Sequence, residues 1–258
     1  MSHRRTPFVG GNWKMNTDLA SAVELADDVV SSCKGFVEKC DIAVFPPFPY
    51  LQAVGKTLGN HGILLGAQDV YHEGNGAFTG EVSAEMLVDL GVSVVIAGHS
   101  ERRHVLGEQD ELINQKVRAA LDAAMWVILC VGEKLDEREK GKAEEVSVRQ
   151  LKMGLEGVPM EQMRQVTIAY EPVWAIGTGK TATAADAQAM HLVLRREMAR
   201  LYDDPIARET RIQYGGSVKG ANAAELIAQA DVDGFLVGGA SLKSDEFGTI
   251  VGAVVAAP

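Results

Sequence analysis

The chain has 258 residues, of which 47% are hydrophobic and 23% are charged, and its formal net charge is -10 at pH 7. This acidic excess argues against nucleic acid as the main partner, but a local field can still attract a small anionic ligand. No apolar run reaches the roughly 20 residues that a membrane-spanning helix needs, and no apolar core follows the basic start MSHRRTP, so we expect neither a membrane helix nor a secretory signal.

Short apolar runs alternate along the chain with longer segments of helical periodicity. Each run is almost continuously apolar, which is typical of parallel strands that are covered on both faces. The spacing between runs, about 20 to 45 residues, leaves room for a crossover helix each time. The predicted strands are Phe8–Trp13, Ile42–Phe45, Ile63–Gln68, Val94–Ala97, Trp126–Val131, Val166–Tyr170, Ile212–Tyr214 and Gly234–Val237.

Three of the intervening helices have recognisable starts. Asp18 is predicted to open one helix and Asp110 to precede another, while Thr183 with Asp186 forms a capping-box pattern at the start of a third. The apolar side chains expected on the inner face of the first of these helices are Leu19, Val23, Ala26 and Val30.

Eight strand–helix units on this length match the usual size of a (β/α)8 barrel. We therefore predict an α/β fold with eight parallel strands inside an outer ring of helices, and a single domain over residues 1–258. A doubly wound open sheet is the alternative, but it would need a phosphate fingerprint after the first strand, and Gly10–Lys14 reads GGNWK. The longest connection without helical periodicity is Asp69–Ser83, and a loop of this length in a compact domain is usually functional or part of an interface.

The segment Ala169–Lys180, AYEPVWAIGTGK, is the most informative one. Glu171 stands directly after a predicted strand, and Pro172 and a loop rich in glycine and threonine follow it. A carboxylate beside a segment that can close over it suits a general base that is shielded from water. The competing interpretation is an exposed glutamate on a turn.

Further polar residues follow the other predicted strands, where a barrel of this kind carries its chemistry. His99 could polarise a carbonyl, and Lys14 could stabilise a developing enolate or an anionic substrate. Asn12 could donate a hydrogen bond to a substrate oxygen. Each of these residues alone is also compatible with an ordinary turn or surface role.

Two glycine pairs follow the last two predicted strands. Gly215-Gly216-Ser217 and Gly238-Gly239 would leave backbone N–H groups free to approach a ligand, and Ala240–Leu242 could form a helical turn behind them. Phosphate binding at this place is a recurrent use of the barrel. The alternative is two tight turns that merely require glycine.

The cysteines Cys33, Cys40 and Cys130 are odd in number and form no CxxC pair, which fits reduced thiols in a cytoplasm. We expect Cys130, inside an apolar run, to be a small core residue. The histidines show no zinc-ligand spacing and the carboxylates no repeated calcium or magnesium loop. We therefore expect no metal site and no cofactor.

Taken together, these segments resemble the triosephosphate isomerase family from end to end. The matching segments are Gly11–Asn16 (GNWKMN), Gly76–Ser83 (GAFTGEVS), Gly98–Arg103 (GHSERR), Ala169–Lys180, Tyr214–Val218 (YGGSV) and Asp233–Leu242 (DGFLVGGASL). The departures are small: Leu106 stands where the family more often has Phe, and Cys130 lies in CVGE where CIGE is common. We have no interpretation of the leading SHRR segment beyond a solvated end.

The resemblance implies the reversible conversion of dihydroxyacetone phosphate and D-glyceraldehyde 3-phosphate in glycolysis and gluconeogenesis, without a cofactor. Glu171 would move a proton between C1 and C2, and neutral His99 would act as the electrophile on the enediolate oxygens. Lys14 and Asn12 would bind substrate and stabilise charge, with Glu101 as a supporting catalytic-site residue close to Lys14.

The resemblance also implies a closing lid that helps to bind phosphate. The N–H groups expected to bind it are those of Gly177, Ser217, Gly238 and Gly239. The lid would consist of Pro172, Val173, Trp174, Ala175, Ile176, Gly177, Thr178, Gly179, Lys180 and Thr181.

The resemblance further implies a homodimer. Asp69–Ser83 resembles the family's interlocking loop, whose tip near Phe78 and Thr79 would enter the partner subunit. Two other functions remain as alternatives: a Schiff-base aldolase that uses Lys14, which would need a buried apolar site for its amine, and a catalytically silent phosphate-binding scaffold.

Overall fold

The computed structural model describes residues 5–175 and 182–257, and in it the strands form one closed barrel. Every strand pairs in parallel with its neighbours along the chain, and the last strand pairs with the first. This closure excludes the open sheet. The strands are β1 (Phe8–Asn12), β2 (Asp41–Phe45), β3 (Ile63–Ala67), β4 (Val94–Ala97), β5 (Trp126–Val131), β6 (Val166–Tyr170), β7 (Arg211–Tyr214) and β8 (Gly234–Val237).

All predicted strands are confirmed, and their ends differ from the prediction by at most one residue. The described helices are α1 (Leu19–Cys33), α2 (Leu51–Leu58), α3 (Ala84–Asp89), α4 (Ser100–His104), α5 (Asp110–Asp122), α6 (Leu135–Glu139), α7 (Ala143–Gly154), α8 (Ala184–Leu201), α9 (Asp204–Glu209), α10 (Gly220–Ile227) and α11 (Ser244–Ala256). Short 3₁₀ turns lie at Phe48–Tyr50, Met160–Gln165, Val173–Ala175 and Gly239–Leu242. None of the helices in the described part combines the length and the apolar character needed to cross a bilayer.

Two of the three predicted helix starts are confirmed. Asp18 caps α1 by accepting a hydrogen bond from the backbone N–H of Ser21, and Thr183 and Asp186 form the reciprocal capping box of α8. The prediction for Asp110 is wrong, because this residue is the first residue of α5 rather than the one before it. Its carboxylate contacts arginine side chains instead of capping the helix.

The inner face of α1 is also rotated from the predicted one. Of the predicted residues, Ala26 and Val30 are buried, Val23 is half-buried and Leu19 is 57% exposed. Ala22, Leu25 and Val29 are buried beside them. The helix packs against both α2 and α11, so its position between two neighbours, which periodicity does not encode, decides which residues face inwards.

Two apolar layers form the core. The larger one lies between the strands and the helices, and the smaller one fills the barrel. The ring of Phe45 packs in this inner layer over Gly66, where any side chain would overlap it. The expectation for Cys130 is confirmed, because this residue is fully buried in the inner layer. Burial is the main cause that raises the pKa of its thiol well above the usual value, and the nearby charge of Glu171 adds to it.

The connection Asp69–Ser83 contains no helix and no named strand, as expected, but both of its ends are anchored. Tyr71 and Ser83 form an isolated β-bridge. At its base, Lys116 is buried and holds Asp69 and Glu108 through its ammonium group. The exposed part of this connection is therefore a loop on a rigid stem.

Candidate active site

The carboxyl ends of the strands surround a cavity of about 720 Å³. The barrel brings together there residues that lie more than 200 positions apart in the sequence. Glu101 contacts this group through Lys14. The sequence-predicted residues that line the cavity are Asn12, Lys14, His99, Glu171, Gly215, Gly216, Ser217, Gly238, Gly239 and Ala240.

Glu171 is a buried carboxylate at the end of β6, with 2% of its surface exposed. Its Oε2 accepts a hydrogen bond from the backbone N–H of Ser100 at 2.8 Å, and the Ser100 hydroxyl lies 3.3 Å from Oε1. His99 Nε2 lies 3.1 Å from the same Oε1. The exposed-turn interpretation of Glu171 is therefore wrong. The carboxylate is held by the start of α4, at a strand end where little water reaches it.

Glycines next to Glu171 allow this close approach. A side chain at Gly132 would overlap the Glu171 carbonyl oxygen, and one at Gly215 would come within 2.9 Å of Glu171 Cγ. The Gly215 N–H donates to the carbonyl of Tyr170 at 2.7 Å. Gly215 is therefore not the free donor that its glycine pair suggested, and it serves to make room for the carboxylate.

His99 has a defined hydrogen-bonding arrangement at the N-cap of α4. The backbone N–H of Glu101 donates to His99 Nδ1 at 3.2 Å, so that nitrogen acts as an acceptor. A neutral imidazole then carries its proton on Nε2, which points to Glu171. This arrangement lets Nε2–H donate to a substrate oxygen.

Lys14 adopts a backbone conformation that is rare for its residue type, with φ at +54°, which costs about 1–2 kcal/mol. Three contacts hold it there. Its N–H donates to Asn12 Oδ1 at 3.0 Å, its carbonyl accepts from Gln68 Nε2 at 2.7 Å, and its Nζ donates to Glu101 Oε1 at 2.5 Å. Strain retained in this way is typical of functional sites. Gln68, which sequence reasoning treated only as a strand residue, supports the strained backbone.

Three of the four predicted phosphate donors lie in the described part of the chain. The N–H groups of Ser217, Gly238 and Gly239 donate to no acceptor within residues 5–175 and 182–257. The predicted helical turn is present as the 3₁₀ turn Gly239–Leu242. The cavity therefore has unused backbone donors in its lining.

The first part of the predicted lid is tied to a buried acid. Val173–Ala175 forms a 3₁₀ turn, and Trp174 Nε1 donates to Glu133 Oε1 at 2.8 Å. Glu133 is fully buried. It also accepts from the Tyr170 hydroxyl at 3.1 Å, and its burial raises the pKa of its carboxyl group.

Ile176–Thr181, including Gly177, lie outside the described residues. Sequence reasoning missed Glu133, although it follows the end of β5 much as the predicted site residues follow their strands.

The geometry speaks against the aldolase alternative. Lys14 Nζ is paired with a carboxylate, and 26% of the side chain is exposed. A Schiff-base lysine needs an apolar environment that favours the neutral amine. Lys14 has no such apolar environment, because its Nζ contacts the Glu101 carboxylate.

Comparison with known proteins agrees with the geometry. The family model described as triosephosphate isomerase matches residues 7–254. A triosephosphate isomerase of Carboxydothermus hydrogenoformans is 53% identical over 96% of this chain and 98% of its own length. That of Prosthecochloris aestuarii is 51% identical over 96% and 97%, and that of Chloroflexus aurantiacus 50% identical over 96% and 98%. The similarity thus extends from just before β1 into α11.

Proposed function

Because this chain belongs to the triosephosphate isomerase family, we propose that the cavity at the carboxyl end of the barrel is its active site. The enzyme is an isomerase that interconverts dihydroxyacetone phosphate and D-glyceraldehyde 3-phosphate. The observation that supports this location best is the contact between two predicted catalytic groups: His99 Nε2 and Glu171 Oε1 lie 3.1 Å apart although their strands are separated in sequence.

In the proposed mechanism Glu171 is the general base. Its carboxylate removes a proton from the carbon next to the substrate carbonyl and returns it to the neighbouring carbon, so the carboxylate is regenerated in each cycle. Its burial keeps water away from the transferred proton. In the proposed reaction it exchanges its contacts with Ser100 and His99 for contacts with the substrate.

His99 is proposed as the electrophile. Its Nε2–H donates to the carbonyl oxygen on which negative charge develops, and the same group moves the proton between the two enediolate oxygens. Lys14 and Asn12 stabilise the negative charge from the β1 side. Glu101 holds the ammonium group of Lys14 at the mouth of the cavity.

The phosphate group is proposed to bind to the unused N–H groups of Ser217, Gly238 and Gly239. Gly177 would add a fourth donor from the lid. Binding by backbone donors suits a dianion in a chain whose net charge is -10, because the donors attract the phosphate without requiring a large excess of basic side chains. Lid closure would also exclude water from the reactive intermediate.

A coupled assay with D-glyceraldehyde 3-phosphate tests the proposed base. Glu171→Asp withdraws the carboxylate by about an ångström, and we expect kcat to fall about a hundredfold. Glu111→Asp, a change at an exposed position of α5, serves as the matched control. Equal activity in both variants would show that the base is misassigned. An inactive but folded wild type would favour the phosphate-binding scaffold instead.

We also propose that the enzyme is a homodimer joined through Asp69–Ser83. Phe78 on this loop and Met86 just after it are exposed at 39% and 48%, and Met15 after β1 is exposed at 94%. Exposed large apolar side chains of this kind are often covered by another protein surface. The loop tip at Phe78 and Thr79 would reach the site of the partner near Asn12, Lys14 and His99.

Thr79→Arg would place a charge in this interface, and we expect both association and activity to fall. Thr79→Ser is the conservative control. Light scattering at the assay concentration measures association, and a fully active monomer would contradict the proposal.

A single domain, a cytoplasmic location and a role in glycolysis and gluconeogenesis remain predictions. The three free, buried cysteines support the cytoplasmic location.

A further inference from the structure

We propose that Arg103 is a positioning residue for the isomerisation, because its guanidinium ties the strand end that carries His99 to the strand end that contacts Glu171. This inference rests on the roles proposed above for those two side chains. Sequence reasoning gave roles to His99 and Glu101 within GHSERR but none to Arg103.

The guanidinium of Arg103 makes hydrogen bonds in three directions. Nε donates to the carbonyl of Gly98 at 2.8 Å, and Nη2 donates to the carbonyl of Cys130 at 3.0 Å. Nη1 pairs with Asp110 Oδ1 at 2.5 Å. The side chain is 5% exposed, so water competes little for these contacts. Only the planar fork of arginine reaches three acceptors with this geometry.

The two carbonyl contacts continue a connection that the sheet itself does not make. The registered pairing of β4 with β5 ends at Ala97 and Leu129. Gly98 and Cys130 are the residues that follow this last pair, and Arg103 joins their carbonyl groups. The relative position of the two strand ends therefore depends on this side chain.

Each joined residue is next to a proposed catalytic group. Gly98 directly precedes His99 and has φ at +70°, and a side chain there would lie 2.9 Å from Arg103 Nη2. The turn that carries His99 is thus packed on the guanidinium. Cys130 directly precedes Val131, whose carbonyl accepts a hydrogen bond from the backbone N–H of Glu171 at 2.8 Å. A shift of about one ångström between reacting groups can reduce the rate about a hundredfold.

Asp110 makes it possible to separate positioning from stability. Its carboxylate balances the charge of Arg103 and also contacts Arg149 on α7, but it touches neither strand end. Asp110→Asn removes the ion pair and leaves both carbonyl contacts possible. Arg103→Lys keeps a positive charge near Asp110 but cannot reach both carbonyls as well.

The experiment compares these two variants in the coupled assay. For Arg103→Lys we expect kcat to fall about 10- to 100-fold, while KM and the inhibition constant of inorganic phosphate stay within about twofold, since the phosphate donors lie elsewhere. For Asp110→Asn we expect a lower melting temperature with kcat within about threefold of wild type.

Methylguanidinium provides a second readout that does not depend on the folding of Arg103→Lys. Arg103→Ala refolded with methylguanidinium should regain kcat, whereas methylammonium, a point charge without the planar fork, should not restore it.

Equal effects of the two cations on kcat would overturn the inference. A folded Arg103→Lys with kcat near wild type would overturn it too, as would an equal loss in Asp110→Asn. Glu171→Asp is assayed in parallel. If Glu171 is not the base, this variant stays fully active, whereas a wrong role for Arg103 alone leaves Glu171→Asp impaired.

Discussion

At the amino end of the barrel the charged groups satisfy one another. Arg211 lies 4.9 Å from the ring centres of both Phe8 and Trp126 and pairs with Asp41. Arg195 contacts Asp231 at 2.5 Å and Asp233 at 2.7 Å. Arg211 and Arg195 thus each have a carboxylate and a second type of contact that fixes their position.

The carboxyl end is organised in the opposite way. Lys14 has a strained backbone, and the N–H groups of Ser217, Gly238 and Gly239 donate to no acceptor in the described part of the chain. Glu171 is buried and contacts Ser100 and His99. We therefore expect the amino end to contribute mainly stability, whereas the strained backbone and unpaired donors of the carboxyl end suit the proposed ligand site. Substitutions at the two ends should therefore separate activity from stability.

The largest expected effect is on activity at the carboxyl end. His99→Asn removes the electrophile and should reduce kcat about a thousandfold, within the usual range for acid–base groups. The melting temperature should change little. The coupled assay and circular dichroism measure the two quantities, with His61→Asn at an exposed position as control. A kcat near wild type would leave His99 with a structural role only.

Arg195→Met should produce the converse result at the amino end. The substitution removes the partner that Asp231 and Asp233 share, but Asp233 keeps its contact with Arg5 at 2.6 Å. The loss should therefore lie near the lower end of the about 3–5 kcal/mol that breaking a buried ion pair costs. Denaturant unfolding measures this loss, and kcat of the folded fraction should stay unchanged. Arg208→Met, at an exposed position in the same region, should shift stability by less than about 0.5 kcal/mol. A stable but inactive Arg195→Met would contradict the division between the two ends.

His191 should make the free energy of unfolding depend on pH. It is fully buried, and burial lowers the pKa of its ring to about 4. In the unfolded chain the pKa is about 6.5, so the unfolded state binds more protons between these values and stability falls as the pH drops. The loss should begin below about pH 6.5 and reach about 3 kcal/mol near pH 4.

Unfolding of wild type and His191→Gln at several pH values measures this contribution. The variant should be less stable at neutral pH but should lose less stability between pH 6.5 and 4 than wild type does. Parallel pH curves for the two proteins would show that the acid sensitivity arises from other groups.

The smallest effect is expected at the cap of α8, which begins just beyond the lid. Thr183→Ala removes the side-chain acceptor for the Asp186 N–H and should cost about 1 kcal/mol. Thr183→Ser keeps the acceptor and should cost less. Differential scanning calorimetry resolves the pair, and an equal loss in both variants would mean that the cap contributes nothing beyond packing of the threonine methyl group.

Sequence reasoning succeeded where local chemistry controls structure. Nearly continuous apolar runs located all eight strands, since strands covered on both faces are rich in apolar residues. Glu171, His99, Lys14 and Asn12 were singled out as candidates because they lie at strand ends, and their proposed roles came from the family resemblance. The capping box at Thr183 was found from a pattern of four residues.

The misses have one physical origin. Gln68, Glu133 and Arg103 act through contacts across separate strand ends, and nothing in their immediate neighbours indicates those partners. Asp110 looked like a helix cap because its neighbours fit one, yet a nearby arginine is its partner. Gly215 looked like a ligand donor, yet the close approach of Glu171 explains it.

The amino-acid sequence by itself determined the family, the barrel and the identity of the proposed catalytic groups, because apolar runs, turns and strand-end residues are local features. Only the tertiary structure decided how those groups are held: which nitrogen of His99 faces Glu171, which contacts keep Lys14 strained, and which side chain joins β4 to β5. These details depend on distances between segments far apart in the chain, and such distances exist only after the barrel has closed.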